Sequence, residues 1–409
     1  MTKVLVLDAE EKSALSIIQS LGRRNIEVIT GSYSKYLTGM LSRYSSGHFI
    51  YSNPFINYYK FIKDLKRFLT ENEIFAVFTV SDSTSVILSK YKKDLESLGV
   101  KIAVEDWSNF IKTYDKQITL KIAKDLKLQI PKTFSINTLD KIEDLKNQFE
   151  FPLVIKPRSK SYWDKKGVLH MTKVTQKNYA ISFNDLKSKY SQFVRNNPYI
   201  DNFYPLIQSF IKGKIYDTVL LAKRGEIITF FQNIRKRTYP SKGGAYTLAK
   251  SIEENQEMYI FAKKLIKEIN WTGPAMVEFI RNEDDKKFYL MEINGRYWGS
   301  TPLTVKSGIN IPLLHYLQLK NIEIKNPPTN YKKDLKLRWL IPGDFLWLLE
   351  KLSNREYKAI YPFMKSFFDS KHAILSLKDP LPTIGALIHM ISLFKDVISG
   401  NRKLTGEIS

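Results

Sequence analysis

Apolar positions along the first hundred residues follow two alternating rhythms. "KVLVLDA" at 3–9 is a short apolar run that predicts a strand. "EKSALSIIQSLGRRN" at 11–25 then places Leu15, Ile18 and Leu21 on one helical face, and "IEVITGS" at 26–32 returns to a strand. "YYKFIKDLKRFLTEN" predicts another helix and "IFAVFTVSD" another buried strand. This β-α-β rhythm predicts a doubly wound parallel sheet over roughly the first 110 residues. The G-x-G-x-x-G turn of dinucleotide sites is missing, and Ala9 to Lys12 stands in its place without a glycine. Asp8, Ser32, Ser81 and Asp82 at the strand ends are open to a substrate role or a structural one.

From about residue 115 the pattern changes. "TYDKQITLKIAKDLKLQIPKTF" predicts a helix with an exit at Pro131, and "FPLVIKPRSK" a strand ending at Lys156-Pro157. "YPLIQSFIKG" predicts a strand that turns at Gly213, and "YDTVLLAKRGEIITFFQNI" a hairpin turned at Arg224-Gly225. "MYIFAKKLIKEINW" is amphipathic and helical. "AMVEFIR" and "KFYLMEIN" are then two β runs on either side of a polar turn, "NEDDK". Beyond about residue 325 the chain is helical and aromatic-rich, with "GDFLWLLEKL" and "PTIGALIHMISLFKDVI".

The last pair of strands carries candidate chemistry. Paired as a hairpin centred near Asp285, it sets Glu278 opposite Glu292, and period two puts Asn294 on the same face. Two facing carboxylates repel, and partial burial raises the cost. A shared proton, a nearby cation or a divalent metal would offset it. Asn294 favours the metal, because its amide oxygen is a hard ligand and supplies no proton. Two carboxylates and an amide with open positions fit Mg²⁺ that takes its remaining ligands from a phosphate. Arg296 can reach an anion there with two parallel hydrogen bonds. Salt bridges from the hairpin acids to local lysines are the plain structural alternative.

Composition narrows the rest. The chain has 409 residues, 43% hydrophobic and 26% charged, which suits a globular protein of two or three domains. With no cysteine there are no disulfides, thiolate metal sites or cysteine nucleophile, and a reducing compartment suits it. "MTKVLVLDAE" reads as a strand start, not a signal peptide. The five histidines, His48, His170, His315, His372 and His389, show no metal-ligand spacing and no neighbouring serine elbow. A zinc hydrolase or serine hydrolase is therefore not expected. The net charge of +23 is spread along the chain; it fits solvated lysine-rich faces or an anionic partner.

Glu278 followed by "EINGRYWGS" resembles the ATP-grasp superfamily. The string is most similar to the carboxylate–amine ligase branch related to the large subunit of carbamoyl phosphate synthetase and to biotin carboxylase. The resemblance spans roughly residues 1 to 320. It implies an α/β fold: a Rossmann-like N-terminal domain (1–114), an α+β ATP-grasp domain (115–324) with a lid at about 120–204, and a helical C-terminal segment (325–409). By this resemblance Glu278, Glu292 and Asn294 hold Mg²⁺, with Mn²⁺ admitted, and Arg296 faces the γ-phosphate and the acyl phosphate made from it. Lys116 in "YDKQ" and Lys156 in "LVIKPR" match the two phosphate lysines, Lys156 with a catalytic role beside Arg296. Gln208, Ser209, Phe210 and Ile211 match the adenine hinge, Asp217 the ribose acid, and Arg235 and Arg237 phosphate or substrate contacts. Gly243-Gly244 would let backbone approach substrate. The chain departs from the family in its lid loop, "KPRSKSYWDKKGVLH", which has one glycine, Gly167, so that either lysines and Trp163 do the covering or the loop closes differently. The hinge also opens on Gln208 where several relatives carry glutamate.

The resemblance implies an ATP-dependent ligase. It would join a small-molecule carboxylate to an amine through an acyl phosphate, releasing ADP and phosphate. A bicarbonate-phosphorylating carboxylase or carbamoyl phosphate-type enzyme is the alternative on the same residues. A catalytically inactive basic nucleotide- or membrane-binding protein is the alternative outside catalysis. No nucleic acid partner is expected; the location expected is cytoplasmic, and a homodimer is compatible with the reading. The run Ile384 to Phe394, followed by Lys395, Arg402 and Lys403, is too short to span a bilayer, which needs about 20 apolar residues. It reads as a packed helix or as one lying on the inner face of an anionic membrane.

Overall fold

The computed structural model describes residues 2–172, 174–200, 203–241 and 243–399. Arg402 and Lys403 lie outside them.

The N-terminal sheet is parallel throughout. Its strands are β1 (Lys3–Val6), β2 (Glu27–Ser32), β3 (Gly47–Ile50), β4 (Ala76–Phe78) and β5 (Lys101–Ile102), in the order β3-β2-β1-β4-β5. Helices α1 (Lys12–Gly22), α2 (Tyr58–Glu71), α3 (Asp82–Lys90) and α4 (Lys92–Glu96) connect them. The inner strands β1 (from Val4) and β4 are buried and apolar on both faces because helices cover both sides, whereas the edge strand β3 leaves His48 and Ile50 exposed. Asn57 and Ser81 cap α2 and α3 by accepting from the N–H three residues on.

Two helices, α5 (Trp107–Tyr114) and α6 (Lys116–Asp125), lead out of this sheet, with Asp115 between them as the α6 cap. A small antiparallel sheet follows, built from β6 (Thr133–Phe134), β7 (Leu153–Lys156), β10 (Tyr179–Ala180) and β11 (Leu206–Ser209) in the order β10-β7-β11-β6. Helix α7 (Phe183–Asn196) packs on it, and Leu153, Ile155, Leu186, Tyr190 and Ile207 form a core of their own. Between β7 and β10 runs a two-stranded hairpin, β8 (Ser161–Trp163) and β9 (Leu169–Met171).

The central sheet is a long antiparallel one. It contains β12 (Gly213–Lys223), β13 (Glu226–Tyr239), β14 (Ala245–Ser251), β15 (Gly273–Asn282) and β16 (Phe288–Asn294), with α8 (Gln256–Glu268) against one face. Helices α9 (Thr301–Lys306) and α10 (Ile311–Leu319) follow β16. The C-terminal segment is helical, with α11 (Phe345–Ser353), α12 (Ile360–Phe368) and α13 (Leu381–Ile398). It also supplies two short strands that its helical pattern did not reveal. These are β17 (Lys336–Arg338), paired with β14, and β18 (Lys371–His372), parallel to β17.

Two apolar cores are shared between the N-terminal and central sheets, so these pack as one body. One joins Leu5, Val77 and Phe110 to Leu220, Trp271 and Ile293; the other joins Val4, Leu15 and Phe78 to Val219, Trp298 and Leu303. Trp271 and Phe110 are 1% exposed, and truncating either would cost about 3–5 kcal/mol. Gly295 passes so close to Thr113 and the Trp271 ring that a Cβ there would collide with both. That close passage brings the end of β16 against α5.

Candidate active site

The register of the central sheet aligns four polar side chains in one row. Glu292 of β16 lies opposite Glu278 of β15, Glu278 opposite Asp217 of β12, and Asp217 opposite Asn233 of β13. Asn294 and Arg235 are each two residues further along their strands, on the same face. A bulge after Glu278 shifts the pairing, so Phe279 faces Leu290. The hairpin expected from sequence therefore forms, with its two glutamates face to face.

Cations offset the repulsion in this structure. Arg235 donates to Glu278, and also to Asp217, at 2.7 Å from Nη2 and 3.2 Å from Nε. Asn233 Nδ2 donates to the same Asp217 oxygen as Arg235 Nε, at 2.8 Å, and Asp217 is 1% exposed. Asp217 is thus turned to Arg235 and away from solvent. Lys160 Nζ donates to Glu292 at 2.7 Å and to the Asn294 amide oxygen at 2.8 Å, and Lys116 Nζ stands 3.4 Å from the other Glu292 oxygen. Burial opposes ionisation of Glu292, but Lys160 and Lys116 outweigh it and hold its carboxyl well below the usual range. Glu278 goes the other way. Burial pushes it up, and the nearby Glu292 and Asp217 add to that against the pull of Arg235.

The phosphate lysines implied by the family resemblance come together. Lys116 opens α6, and Lys156 ends β7 with its ammonium 3.2 Å from the Gln208 side-chain oxygen. Burial, then the positive charge of Lys116, lowers Lys156 to about 8. Gln208 is 2% exposed; its amide nitrogen donates to Thr133 at 2.9 Å, so both ends of the side chain are engaged. In the hinge, Ser209 N–H donates to the Lys132 carbonyl and Phe210 N–H to that of Pro152, while the Phe210 ring stays exposed, edge-on to Tyr179. Ile211 continues the hinge toward Gly213.

Arg296 is aimed from the N-terminal sheet. Its Nε and Nη2 donate to the two oxygens of Asp82 at 2.6 and 2.7 Å, and Nη2 also reaches Asn294 at 3.3 Å. Of the strand-end candidates, Asp82 is thus drawn into the cluster. Asp8 is buried by hydrogen bonds from Thr79, Thr84 and the Val80 and Ser81 N–H groups, and Ser32 donates to Glu10. Arg237 is not brought to the row. Its guanidinium lies 3.0 Å from Asp344, donates to Ser366 and stacks over Trp347, inside the C-terminal helices.

The lid loop closes without glycine-rich backbone. Arg158 pairs with Asp115, Tyr114 hydroxyl contacts Ser161 at 2.6 Å, and Lys160 reaches across to Glu292. Trp163 rests edge-on against Tyr58 of α2, and Tyr58 N–H donates to the Gly167 carbonyl at 3.2 Å. Trp163 thus docks the β8–β9 hairpin on α2 of the N-terminal part. Lys160 is the member of this cluster that sequence alone did not single out, since nothing sets it apart from its lysine neighbours.

Five cationic side chains (Lys116, Lys156, Lys160, Arg235, Arg296) face four carboxylates (Asp82, Asp217, Glu278, Glu292), a near-neutral set. A triphosphate would add roughly four negative charges, more than the cluster can balance without a divalent cation. Glu292 and Asn294 already converge on one positive centre, the Lys160 ammonium, so their oxygens fit a hard cation. Among the described residues no three of His, Cys, Asp and Glu gather as a metal cluster; the candidate set is two carboxylates and an amide.

Residues 206–341 match a family model described as ATP-grasp in the biosynthetic pathway with Ter operon. No curated protein matches the sequence. Solved structures match across most of the chain. The biotin carboxylase domain of Hydrogenobacter thermophilus 2-oxoglutarate carboxylase, in complex with MgADP, ADP and bicarbonate, has a TM-score of 0.65 at 14% identity, covering 82% of this chain and 73% of that one. N5-carboxyaminoimidazole synthetase from Staphylococcus aureus gives 0.61 at 12% identity, covering 82% and 80%. L-amino acid ligase from Bacillus licheniformis gives 0.58 at 17% identity, covering 78% and 74%. The chain has the ATP-grasp fold.

Proposed function

We propose that this ATP-grasp chain is an ATP-dependent carboxylate–amine ligase that forms an amide through an acyl phosphate and releases ADP and phosphate. The observation that carries the reading is the convergence of Glu278, Glu292, Asn294 and Arg296 with Lys116 and Lys156 on one face of the central sheet. The family match over 206–341 and the ligases among the structural neighbours support it. On this reading residues 1–114 form the Rossmann-like domain before the ATP-grasp domain, 115–324 the ATP-grasp domain and 325–409 the C-terminal segment.

Lys116 and Lys156 would hold the phosphate chain, and the hinge from Gln208 to Ile211 the base. Glu278, Glu292 and Asn294 would hold Mg²⁺, which when bound neutralises phosphate charge. The substrate carboxylate attacks the γ-phosphorus, and the bond to the ADP oxygen breaks with its electron pair on ADP. Arg296, held by Asp82 and the Tyr297 carbonyl, would contribute its positive charge to the transferred phosphoryl group. The amine then attacks the acyl carbon. The C–O bond breaks onto phosphate, and the surplus proton leaves the nitrogen for phosphate or solvent. No protein nucleophile takes part; positioning and charge neutralisation are the protein's share.

The test supplies ATP and Mg²⁺ with pools of candidate acids and amines, and measures ADP, phosphate and new amide mass. ADP release that needs both an acid and an amine supports the reading. Turnover with bicarbonate alone would transfer it to the carboxylase class. No thermal shift with millimolar Mg-ATP would remove it altogether.

A further inference from the structure

Large apolar side chains on a surface helix normally turn toward the protein. Two helices near the C-terminus do the reverse. Along α12, Ile360, Tyr361, Met364, Phe367 and Phe368 are all exposed, Phe368 to 82%, at the spacing of one helical stripe. The buried positions of that region are the small Ala359 and Ser366. Along α13, Leu381, Ile384, Leu387, Ile388 and Ile391 are exposed, whereas Gly385 and Ala386 are buried. A Cβ on Gly385 would stand 2.6 Å from the Thr38 nitrogen and 2.9 Å from the Leu37 carbonyl carbon. From Leu381 to Ile391 the helix is therefore seated by its small residues, and the large side chains named are exposed. Leu377, between the two helices, is fully exposed. Half of the exposed large apolar side chains among the described residues lie between Tyr357 and Ile391, far from the even scatter of an ordinary surface.

Charge indicates what covers this surface. Lys358, Lys365, Lys371 and Lys378 are exposed in the same stretch, and among the described residues none of them has an ion pair. The two acids of the stretch are already engaged. Asp369 pairs with Lys336, and buried Asp379 accepts from Gln19, Ser42 and the Arg43 N–H. A second copy of the chain would bring the same unpaired lysines face to face. An acidic surface would meet them favourably. No helix among the described residues is long and apolar enough to cross a bilayer, so the contact would lie in the interface.

We propose that the outer faces of α12 and α13, with the turn at Leu377, dock the protein on an anionic lipid bilayer. Apolar and aromatic side chains enter the headgroup–acyl boundary, and the lysines meet acidic headgroups. The test is flotation of the full chain with vesicles of phosphatidylcholine alone and of phosphatidylcholine with about 30% phosphatidylserine, at low and physiological salt. Binding is expected to the acidic vesicles only and to weaken with salt. Tyr361→Ser with Phe368→Ser should lower partitioning about tenfold or more, with unchanged thermal unfolding because both side chains are exposed. Lys358→Glu with Lys365→Glu should do the same through charge. Failure to float with acidic vesicles at low salt would overturn the proposal. So would binding that ignores both double variants, or a concentration-dependent dimer that the Tyr361/Phe368 variant abolishes.

Discussion

Asp82 and Arg296 meet side-on across 214 positions of sequence, through two hydrogen bonds of 2.6 and 2.7 Å. Asp82 is the first residue of α3, and Arg296 lies just past β16. One sheet therefore sets the angle of a guanidinium that belongs to the other. Asp82→Asn keeps the size and removes the charge. ATP turnover is expected to fall about 10- to 100-fold while KM for Mg-ATP changes about threefold or less. Steady-state ADP release resolves the two, and a change confined to KM would count against this role for Arg296.

Glu292→Gln removes the charge on which Lys160 and Lys116 converge. Turnover should drop about 100-fold or more, since the amide neither balances the cations nor holds Mg²⁺ as well. Circular dichroism should show the fold retained. Full activity in this variant would return the hairpin to a structural role.

Lys160→Met tests the lid contact separately. Without nucleotide, the variant should lose about 1 kcal/mol of stability, because the partly exposed lid pair is gone and Glu292 keeps Lys116 and the Asn294 amide N–H. Protease nicking within residues 156–171 should become faster, since Lys160 ties the β7–β8 connection to β16. Denaturant melts and timed proteolysis measure both, and unchanged nicking would mean that the other contacts of the loop, among them Arg158–Asp115, Tyr114–Ser161 and Trp163–Tyr58, hold it without Lys160.

The pH dependence of nucleotide binding should follow Lys156. Its ammonium, lowered to about 8, is charged below that pH and is lost above it. Between about 8 and its ordinary 10.5, the unfolded chain holds a proton that the folded one has released, so this residue makes stability rise with pH in that window. Mg-ATP affinity should do the opposite and weaken above about pH 8. Lys156→Arg should flatten the affinity profile, and Gln208→Glu, which puts a carboxylate beside Nζ, should move its limb upward. Calorimetric titration from about pH 7 to about 9.5 decides; a wild-type profile without a limb would exclude Lys156 as a phosphate ligand.

What the sequence revealed depended on how local the signal was. Glu278 and Glu292 could be set opposite each other because a short polar turn fixes hairpin register and side chains alternate with period two. The bulge after Glu278 could not be foreseen, yet it falls on the turn side of the pair and leaves the site intact. Three strands of the parallel N-terminal sheet, β1, β2 and β4, were equally plain as apolar runs, whereas the edge strands β3 and β5, short and partly exposed, were not foreseen. Lys160 was hidden among similar lysines, and what distinguishes it is a carboxylate 132 positions away. Arg237 was misleading for the converse reason. It follows Arg235 closely on the same strand, but Asp344, which receives it, belongs to a segment whose helical pattern gives no hint of that contact. β17 and β18 are three and two residues long, too short to leave a periodic trace.

Those short strands bear on how the chain can be cut. β17 hydrogen-bonds to β14 through Lys336, Leu337 and Arg338, and β18 in turn covers β17. A fragment ending near residue 324, the domain end expected from sequence, would leave β14 as a bare outer strand with its backbone donors and acceptors open. Such an edge is a template for the next molecule. The fragment should therefore come out of a cell as aggregate and not as a smaller enzyme, and any shortened form meant for solution work has to run at least through His372.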